Sequence, residues 1–411
     1  VDQSALTDPT DRLTRVRLPR DFANDDWGYG TNTEYLKELI EYWIDRFDWR
    51  DREREMNEFS HYKTEIAGQP IHFIRQSGEG PKPIPLILTH GWPWTFWDYR
   101  HVIGPLSDPA AYGGDPEDAF DVIVPSLPGF IFSTPTSRAL NWVETADLWA
   151  TLMRDQLGYN RFAAAGSDWG LMITSQLGHK YPDNVAGIHL TGGRALDLWN
   201  SDRPWDLFGQ MPLGEGQEKE DVLAYQRRFA GHVTAHVLEA QTLAHAFHDS
   251  PTGLASWLVE RRRSWSDCGG DVERRFSKDD LLTSITLYWV TESFFTSARF
   301  YRDATLRPWV PSHHDVPMVP VPTAISIFKH DVPRIPDKDS YADLYNLNQF
   351  RVHDRGGHFV RAIEEKGGTW REIGDGFDGV VGIGWWSDDS RTIYFADGAR
   401  WRMRMGNTQL V

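Results

Sequence analysis

Short apolar runs that end at glycine or proline set the strongest limit on how this chain can fold. The first four occupy residues 84–89, 120–124, 162–165 and 185–190. Amphipathic helical patterns lie around residues 141–157 and 169–181. Buried strands that alternate with such helices are typical of a parallel sheet covered on both faces. The sequence therefore predicts an α/β fold.

A long helical segment interrupts this alternation. The next strand-like run, residues 323–328, comes only after helical patterns at 218–247, 252–265 and 278–302. A sheet cannot skip that much chain without an inserted lobe. We therefore expect residues 193–310 to form a helical cap, inserted between two parts of a sheet domain at 63–192 and 311–365.

The two ends of the chain follow other patterns. Residues 1–62 are polar and aromatic, and the stretch 33–51 predicts one amphipathic helix. Its apolar side chains recur at three- and four-residue spacings: Leu36, Ile40, Trp43 and Phe47. Alternation over 59–75, with Gly68 at the turn, predicts a hairpin. Residues 366–411 suggest short strands and stay unassigned.

Composition limits the partners of the chain. A net charge of −16 argues against nucleic acid, because no basic stripe could offset that field. The sequence shows neither an apolar run long enough for a membrane span nor a signal peptide. Cys268 is the only cysteine, which excludes an intrachain disulfide and a thiolate-based metal site. We expect a cytoplasmic protein without a membrane partner.

The strongest chemical signal is Gly166-Ser167-Asp168-Trp169-Gly170. It follows a predicted strand and opens a predicted helix, as does the nucleophile elbow of the α/β-hydrolase fold. The flanking glycines permit the tight turn that lifts the central side chain above the sheet. Asp168 is ionised at neutral pH and suits displacement at an sp³ carbon, which gives an alkyl-enzyme ester. The alternative is that Asp168 merely caps the following helix.

An early loop offers the partner for such an elbow. Residues His90 to Pro93 directly follow the run 84–89, where the α/β-hydrolase fold places one oxyanion donor. The second donor follows the nucleophile, so we expect the backbone N–H groups of Trp92 and Trp169 to form the pair. The alternative is an ordinary turn, and we expect His90 to be a structural hydrogen-bonding residue.

A base and an orienting acid follow in the chain order of this fold, which is nucleophile, acid, histidine. His358 lies in a glycine-containing loop after a late strand and is the expected general base. Asp331 follows the run 323–328 and is the expected acid. His353 is an alternative base, although it falls within the strand pattern. The alternative acids are Asp337, Asp339 and Asp354, each with a solvated surface position as the default.

Together these residues resemble the microsomal-type epoxide hydrolases, over most of residues 10–362. Further matching motifs are Asp26-Trp27-Gly28-Tyr29-Gly30-Thr31, Phe47-Asp48-Trp49-Arg50, Pro125-Ser126-Leu127-Pro128-Gly129-Phe130, Asp249-Ser250-Pro251-Thr252-Gly253-Leu254-Ala255 and Arg299-Phe300-Tyr301. The resemblance implies an α/β-hydrolase fold with a mostly parallel central sheet, an inserted helical cap and an amino-terminal meander at residues 1–62. The chain departs from the family pattern after Phe359, where members of the family end in a helix.

The resemblance also implies roles for individual residues. Asp168 is the implied nucleophile, His358 the water-activating base and Asp331 the charge-relay acid. Tyr301 is the implied cap tyrosine, and a phenol over the nucleophile can donate to the epoxide oxygen as charge develops there.

The family usually supplies a second cap tyrosine, and His232 occupies its position here. Either His232 donates in its place, or Tyr225 takes the role, or the role is absent.

The implied activity converts an epoxide and water to a vicinal diol, with no metal and no organic cofactor. The implied enzyme is a soluble bacterial one that takes a bulky, apolar epoxide, with an aryl epoxide as one candidate. Some bacterial relatives act in antibiotic biosynthesis, which is a candidate context. A homodimer is a candidate assembly that the sequence does not decide. The alternatives are a haloalkane dehalogenase, which could use Trp169 to bind halide, and a non-catalytic small-molecule binder of the same fold.

Overall fold

An eight-stranded sheet forms the centre of this computed structural model, which describes residues 1–136, residues 138–359 and four short strands beyond them. The strands are β1 (His61–Ile66), β2 (Gln69–Gln76), β3 (Ile84–Thr89), β4 (Phe120–Pro125), β5 (Phe162–Ser167), β6 (Val185–Thr191), β7 (Val319–Phe328) and β8 (Tyr345–His353). Their order is β1-β2-β4-β3-β5-β6-β7-β8, antiparallel as far as the β2–β4 pair and parallel from β4 to β8. The predicted α/β-hydrolase sheet is confirmed.

Helices flank the central strands and complete the layers. They include α4 (Arg100–Ser107), α5 (Trp142–Thr151) and α6 (Trp169–Lys180). Every residue of β5 is buried, as expected of a central strand covered on both faces. The carboxyl ends of parallel strands meet at one edge of the sheet, where ligands bind in open α/β sheets. The loops after β3, β5, β7 and β8 therefore converge on one place.

Four long helices lie between β6 and β7, and we refer to them as the cap helices. They are α7 (Gly216–Phe247), α8 (Pro251–Trp265), α9 (Lys278–Val290) and α10 (Phe294–Leu306). The prediction of one helix over 278–302 is wrong, because α9 ends at Val290 and α10 begins at Phe294. Glu292 between them adopts a positive φ of 52°, which interrupts a helix.

The amino-terminal segment contains three helices, α1 (Gln3–Leu13), α2 (Thr33–Asp45) and α3 (Trp49–Met56). The single helix predicted over 33–51 is wrong. The side chain of Asp48 accepts a hydrogen bond from the Arg50 N–H and starts a new helix, a signal that periodicity alone does not reveal. The predicted hairpin is confirmed as β1 and β2, which turn at Ala67 and Gly68.

Hydrogen bonds tie this segment to α8 and to the turn between α7 and α8. Thr31 Oγ1 donates to the Ser256 carbonyl at 2.8 Å, and Arg12 Nη1 donates to the Asp249 carbonyl at 2.7 Å. None of the helices in the described part of the chain combines the length and apolar character that a membrane crossing needs.

Beyond residue 359 the structure describes only two antiparallel strand pairs. Ile363–Lys366 pairs with Thr369–Glu372, and Gly384–Trp386 pairs with Ile393–Phe395. The rest of the unassigned segment 366–411 lies outside the described residues.

Candidate active site

Asp168 lies at the bend between β5 and α6, with φ 53° and ψ −123°. A positive φ is costly for a residue with a Cβ and persists only where the surrounding structure imposes it. The Asp168 side chain forms no capping hydrogen bond with α6, so the alternative interpretation as a simple helix cap is wrong. The bend directs the carboxylate towards the loop after β3 instead.

Two glycines make this close approach sterically possible. A Cβ on Gly91 would fall 2.3 Å from Asp168 Oδ1, and one on Gly170 would fall 1.9 Å from the Thr89 carbonyl oxygen. Contacts this short do not occur for real Cβ atoms, so any side chain at either position would displace β3 or the bend.

The carboxylate of Asp168 accepts a hydrogen bond from one backbone N–H group and lies beside the start of α6. The Trp92 N–H donates to Asp168 Oδ1 at 2.8 Å. Trp169 is the first residue of α6, and the first turn of a helix leaves its N–H groups without intrahelical acceptors. The positive end of the helix dipole also favours negative charge there. The oxyanion role of the two N–H groups stays a prediction.

The structure brings His358 and Asp331 together beside Asp168. His358 Nε2 lies 3.4 Å from Asp168 Oδ2, and Nδ1 lies 3.0 and 3.3 Å from Asp331 Oδ1 and Oδ2. Because Asp331 can only accept when ionised, Nδ1 carries a proton, and Nε2 faces Asp168.

The alternative base and acids lie elsewhere. His353 lies on β8, with Nε2 3.4 Å from Ser326 Oγ. Asp337 accepts from the Asp339 N–H at the start of a short helix, and Asp354 forms an ion pair with Lys329.

Opposing effects set the protonation of His358. Burial lowers its pKa, but the charges of Asp331 and Asp168 and hydrogen bonding to both carboxylates outweigh burial and raise the pKa to about 10. The imidazolium is therefore favoured at neutral pH while both carboxylates are ionised. Neutralising either carboxylate would make the ring a better base.

Tyr301 of α10 faces the same site from the cap. Its ring packs edge-on against Trp169 and Trp92, with centroid separations of 4.8 and 6.0 Å. Burial raises the pKa of its phenol well above the usual value, and the charge of Asp168 raises it further, so the hydroxyl stays protonated. That hydroxyl has no hydrogen-bond partner among the described residues, a costly arrangement unless a ligand supplies an acceptor.

His232 of α7 lies beside Tyr301. Its ring is stacked on Trp92 at 5.6 Å and meets the Tyr301 ring edge-on at 5.4 Å. Burial lowers its pKa well below the usual value, so the imidazole is neutral and can donate from one nitrogen. Tyr225, the alternative donor, packs its ring on Phe229 at 4.5 Å.

His236 completes this cluster and was not predicted. It lies one helical turn after His232, and its ring is 4.5 Å from Trp92 and 4.9 Å from Tyr301. Its Nε2 lies 3.3 Å from Trp257 Nε1, which can only donate, so the neutral ring carries its proton on Nδ1. The four-residue spacing from His232 was the available sequence signal.

His90 has the structural role that the sequence suggested. Its Nε2 accepts from the Leu127 N–H at 3.1 Å, and its Nδ1 lies 2.9 Å from the Gly91 carbonyl oxygen. It therefore fixes the loop after β3 to the loop after β4. In the part of the chain that the structure describes, no three His, Cys, Asp or Glu side chains are grouped to hold a metal ion.

Comparisons with known proteins agree on one family. The family model described as epoxide hydrolase N terminus matches residues 1–99, and that of the alpha/beta hydrolase fold matches 84–263. A putative epoxide hydrolase of Stigmatella aurantiaca is 36% identical over 366 residues, 88% of this chain and 79% of the relative. Epoxide hydrolase 1 of Oryctolagus cuniculus is 34% identical over 382 residues, 88% of this chain and 83% of the relative.

Two solved structures support the same assignment. The juvenile hormone epoxide hydrolase of the silkworm Bombyx mori superposes with a TM-score of 0.71 at 26% identity, covering 87% of this chain and 86% of that one. The Aspergillus niger epoxide hydrolase gives a TM-score of 0.70 at 26% identity, covering 87% and 89%.

Proposed function

The chain belongs to the microsomal-type epoxide hydrolases and hydrolyses epoxides, and we propose that it does so through a covalent ester on Asp168. The observation that carries the proposal is the position of the Asp168 carboxylate, 2.8 Å from the Trp92 nitrogen and 3.4 Å from His358 Nε2. The relatives reported above are named epoxide hydrolases, which favours this activity over the alternatives from the sequence, haloalkane dehalogenation and non-catalytic binding.

The first step opens the epoxide. A carboxylate oxygen of Asp168 forms a bond to one ring carbon while the bond from that carbon to the epoxide oxygen breaks. The electron pair goes to the oxygen, and the protonated hydroxyl of Tyr301 donates to it as negative charge develops. We propose that neutral His232 supplies the second hydrogen bond, in place of a tyrosine.

The second step hydrolyses the ester. Esterification removes the charge of Asp168, one of the influences that raise the pKa of His358, so the imidazolium releases its Nε2 proton. That proton passes by way of Tyr301 to the oxygen formed on ring opening, and the neutral ring can then accept a proton. His358 then takes a proton from water, and the resulting hydroxide adds to the ester carbonyl. The N–H groups of Trp92 and Trp169 stabilise the oxyanion, and Asp331 stabilises the imidazolium. Collapse breaks the bond to the substrate oxygen, which takes the proton from His358 and leaves as the second hydroxyl of the diol. The carboxyl proton left on Asp168 passes to His358, so the carboxylate and the imidazolium are both regenerated.

We propose that the substrate is a bulky, apolar epoxide, with an aryl epoxide as the candidate class. Aromatic side chains surround the two donors on the cap: Trp92, Trp169, Trp265 and Phe300 pack against Tyr301, His232 or each other. Such surfaces favour stacking of an aromatic substituent.

The direct test is to trap the ester. In His358→Gln the nucleophile is unchanged but no base activates water, so incubation with styrene oxide is expected to add one substrate mass to the protein. The adduct should map to the peptide that contains Asp168, and the double variant with Asp168→Asn should gain no mass. Absence of any adduct with styrene oxide, 1,2-epoxyoctane and stilbene oxide would refute the mechanism.

A further inference from the structure

Arg228 joins cap helix α7 to the turn that carries Asp331. Its Nη1 lies 3.0 Å from His330 Nε2, and its Nη2 donates to the His330 carbonyl at 3.2 Å. A guanidinium has only donors, so His330 must accept at Nε2 and, when neutral, carry its proton on Nδ1. Two hydrogen bonds from one planar fork fix the orientation of residue 330, which directly precedes the acid.

A second contact links the same helix to the base. Trp265, the last residue of α8, donates from Nε1 to the Arg228 carbonyl at 3.1 Å. The Trp265 carbonyl accepts from the His358 N–H at 2.9 Å, and its ring lies edge-on against His358 at 5.2 Å. The hydrogen bond between His358 and Asp331 closes the ring of contacts. Both members of the water-activating pair are thus held by the cap helices.

The position of Arg228 is costly for a cation. Its side chain is half-buried, and across the described ranges no carboxylate lies within ion-pair distance of it. Burial lowers its pKa, and the carboxylate of Asp331 opposes this effect. A partly buried cation is unfavourable unless negative charge compensates it. Asp331, the residue that follows His330, supplies that charge.

We propose that Arg228 is a positioning residue that holds the Asp331 turn against His358 for hydrolysis of the ester. The inference rests on the proposed function, because it assumes a covalent intermediate on Asp168. Ring opening uses the charge that Asp168 already carries. Hydrolysis instead converts His358 to an imidazolium, and that step requires Asp331 to be aligned with Nδ1. The contribution of Arg228 therefore falls on the second step.

Two variants and a neighbouring control test this assignment. Arg228→Met removes the charge and both hydrogen bonds, whereas Arg228→Lys keeps the charge without the planar fork. Arg227→Met is the matched control, because Arg227 is exposed and adjacent. Each protein is assayed with whichever of styrene oxide, 1,2-epoxyoctane and stilbene oxide the parent hydrolyses fastest.

Slower hydrolysis of a covalent intermediate has a distinctive kinetic signature. In Arg228→Met, kcat and KM should fall together by about tenfold or more, while kcat/KM, which reports ring opening, stays within about twofold. Arg228→Lys should lie between this variant and the parent, and Arg227→Met should match the parent. If Arg228→Met does not fold, the lysine variant alone must show the paired fall of kcat and KM.

Other outcomes overturn the inference. A merely structural defect would lower kcat and kcat/KM equally at constant KM, and parental kinetics in Arg228→Met would exclude any role. Mass spectrometry during turnover distinguishes failure of the Arg228 inference from failure of the ester mechanism. If the ester forms in His358→Gln but does not accumulate in Arg228→Met, only the inference fails. If no ester forms in His358→Gln, the proposed function fails.

Discussion

The two sides of the active site differ in how completely their polar groups are paired. On the sheet side both carboxylates are partnered, Asp168 by the Trp92 N–H and Asp331 by His358 Nδ1. His358 Nε2 has only the ion-pair contact with Asp168 Oδ2, at 3.4 Å. On the cap side, the hydroxyl of Tyr301 and Nδ1 of His232 have no hydrogen-bond partner anywhere in the described residues. The sheet-side groups keep 12 to 19% of their side-chain surface exposed, whereas Tyr301 and His232 are 2% and 4% exposed, so water reaches the unpaired donors least.

This difference separates two tasks. Paired groups have their protonation and direction set before substrate arrives, which suits the nucleophile and the base. Unpaired donors carry a cost that an incoming acceptor oxygen relieves, and this relief is largest when the oxygen becomes charged. In the proposed mechanism the sheet side therefore makes and hydrolyses the ester, and the cap side recognises the epoxide oxygen.

The largest effect is expected on the sheet side. Asp331→Asn keeps a hydrogen-bonding side chain but removes the charge that stabilises the imidazolium, so hydrolysis of the ester should slow by about 10³-fold or more. Ring opening should change by less than about tenfold, because Asp168 keeps its charge. Rapid-quench measurement of ester and diol in a single turnover separates the two rates.

Asp339→Asn is the control for this variant, since it changes an exposed aspartate of the same region and should behave as the parent. An equal fall in both rates would break the assignment of Asp331 to the second step.

A smaller, opposite pattern is expected on the cap side. Tyr301→Phe removes one donor to the epoxide oxygen and should lower kcat/KM by about 10²-fold. The same change removes a buried, unpartnered hydroxyl, so the free energy of unfolding should not fall and the thermal midpoint should stay level or rise. Steady-state kinetics and thermal denaturation of the same preparation provide both measurements.

His232→Phe is the matched cap variant and should lower kcat/KM by less, about tenfold, because a neutral imidazole is the second donor. If His232→Phe has parental kinetics while Tyr301→Phe is impaired, only one cap donor takes part.

The third effect concerns the pH dependence of stability and not a rate. Burial lowers the pKa of His236 to about 3, below that of the unfolded chain, so the unfolded state binds the extra proton first. Its contribution to stability is complete above about pH 6.5 and is lost as pH falls below that value, by about 2 kcal/mol at pH 5. His236→Phe should therefore lose about 2 kcal/mol less than the parent between pH 7 and pH 5 in urea denaturation.

His358 has the opposite sign. Its folded pKa, raised to about 10, gives a stabilisation that is complete below about pH 6.5 and is lost as pH rises towards 10. A parental acid response in His236→Phe would show that the ring of His236 is not neutral in the folded protein.

Local patterns predicted the parts of the molecule that local constraints determine. The run at 84–89 is β3 to the residue, and the pentapeptide around Asp168 forms the bend, because buried strands and flanking glycines constrain the backbone within a few residues. The acid and the histidine could be proposed from chain order and from their positions after predicted strands, with alternatives left open for each, and the structure places Asp331 and His358 beside Asp168.

Contacts between distant segments could not be predicted in this way. Arg228, Trp265 and His330 come from two cap helices and a core turn, and no spacing in the sequence relates them. The break between α2 and α3 was missed because a single capping side chain, Asp48, overrides the apolar periodicity around it.

The central claim is that an oxygen of Asp168, and not of water, first joins the substrate. A single turnover in H₂¹⁸O with enzyme in excess over epoxide tests this directly. The ester mechanism predicts an unlabelled diol and one ¹⁸O atom in the peptide that contains Asp168, since water attacks the ester carbonyl. A diol that carries ¹⁸O in this first turnover, with Asp168 unlabelled, would mean that water attacks the epoxide itself and would contradict the account.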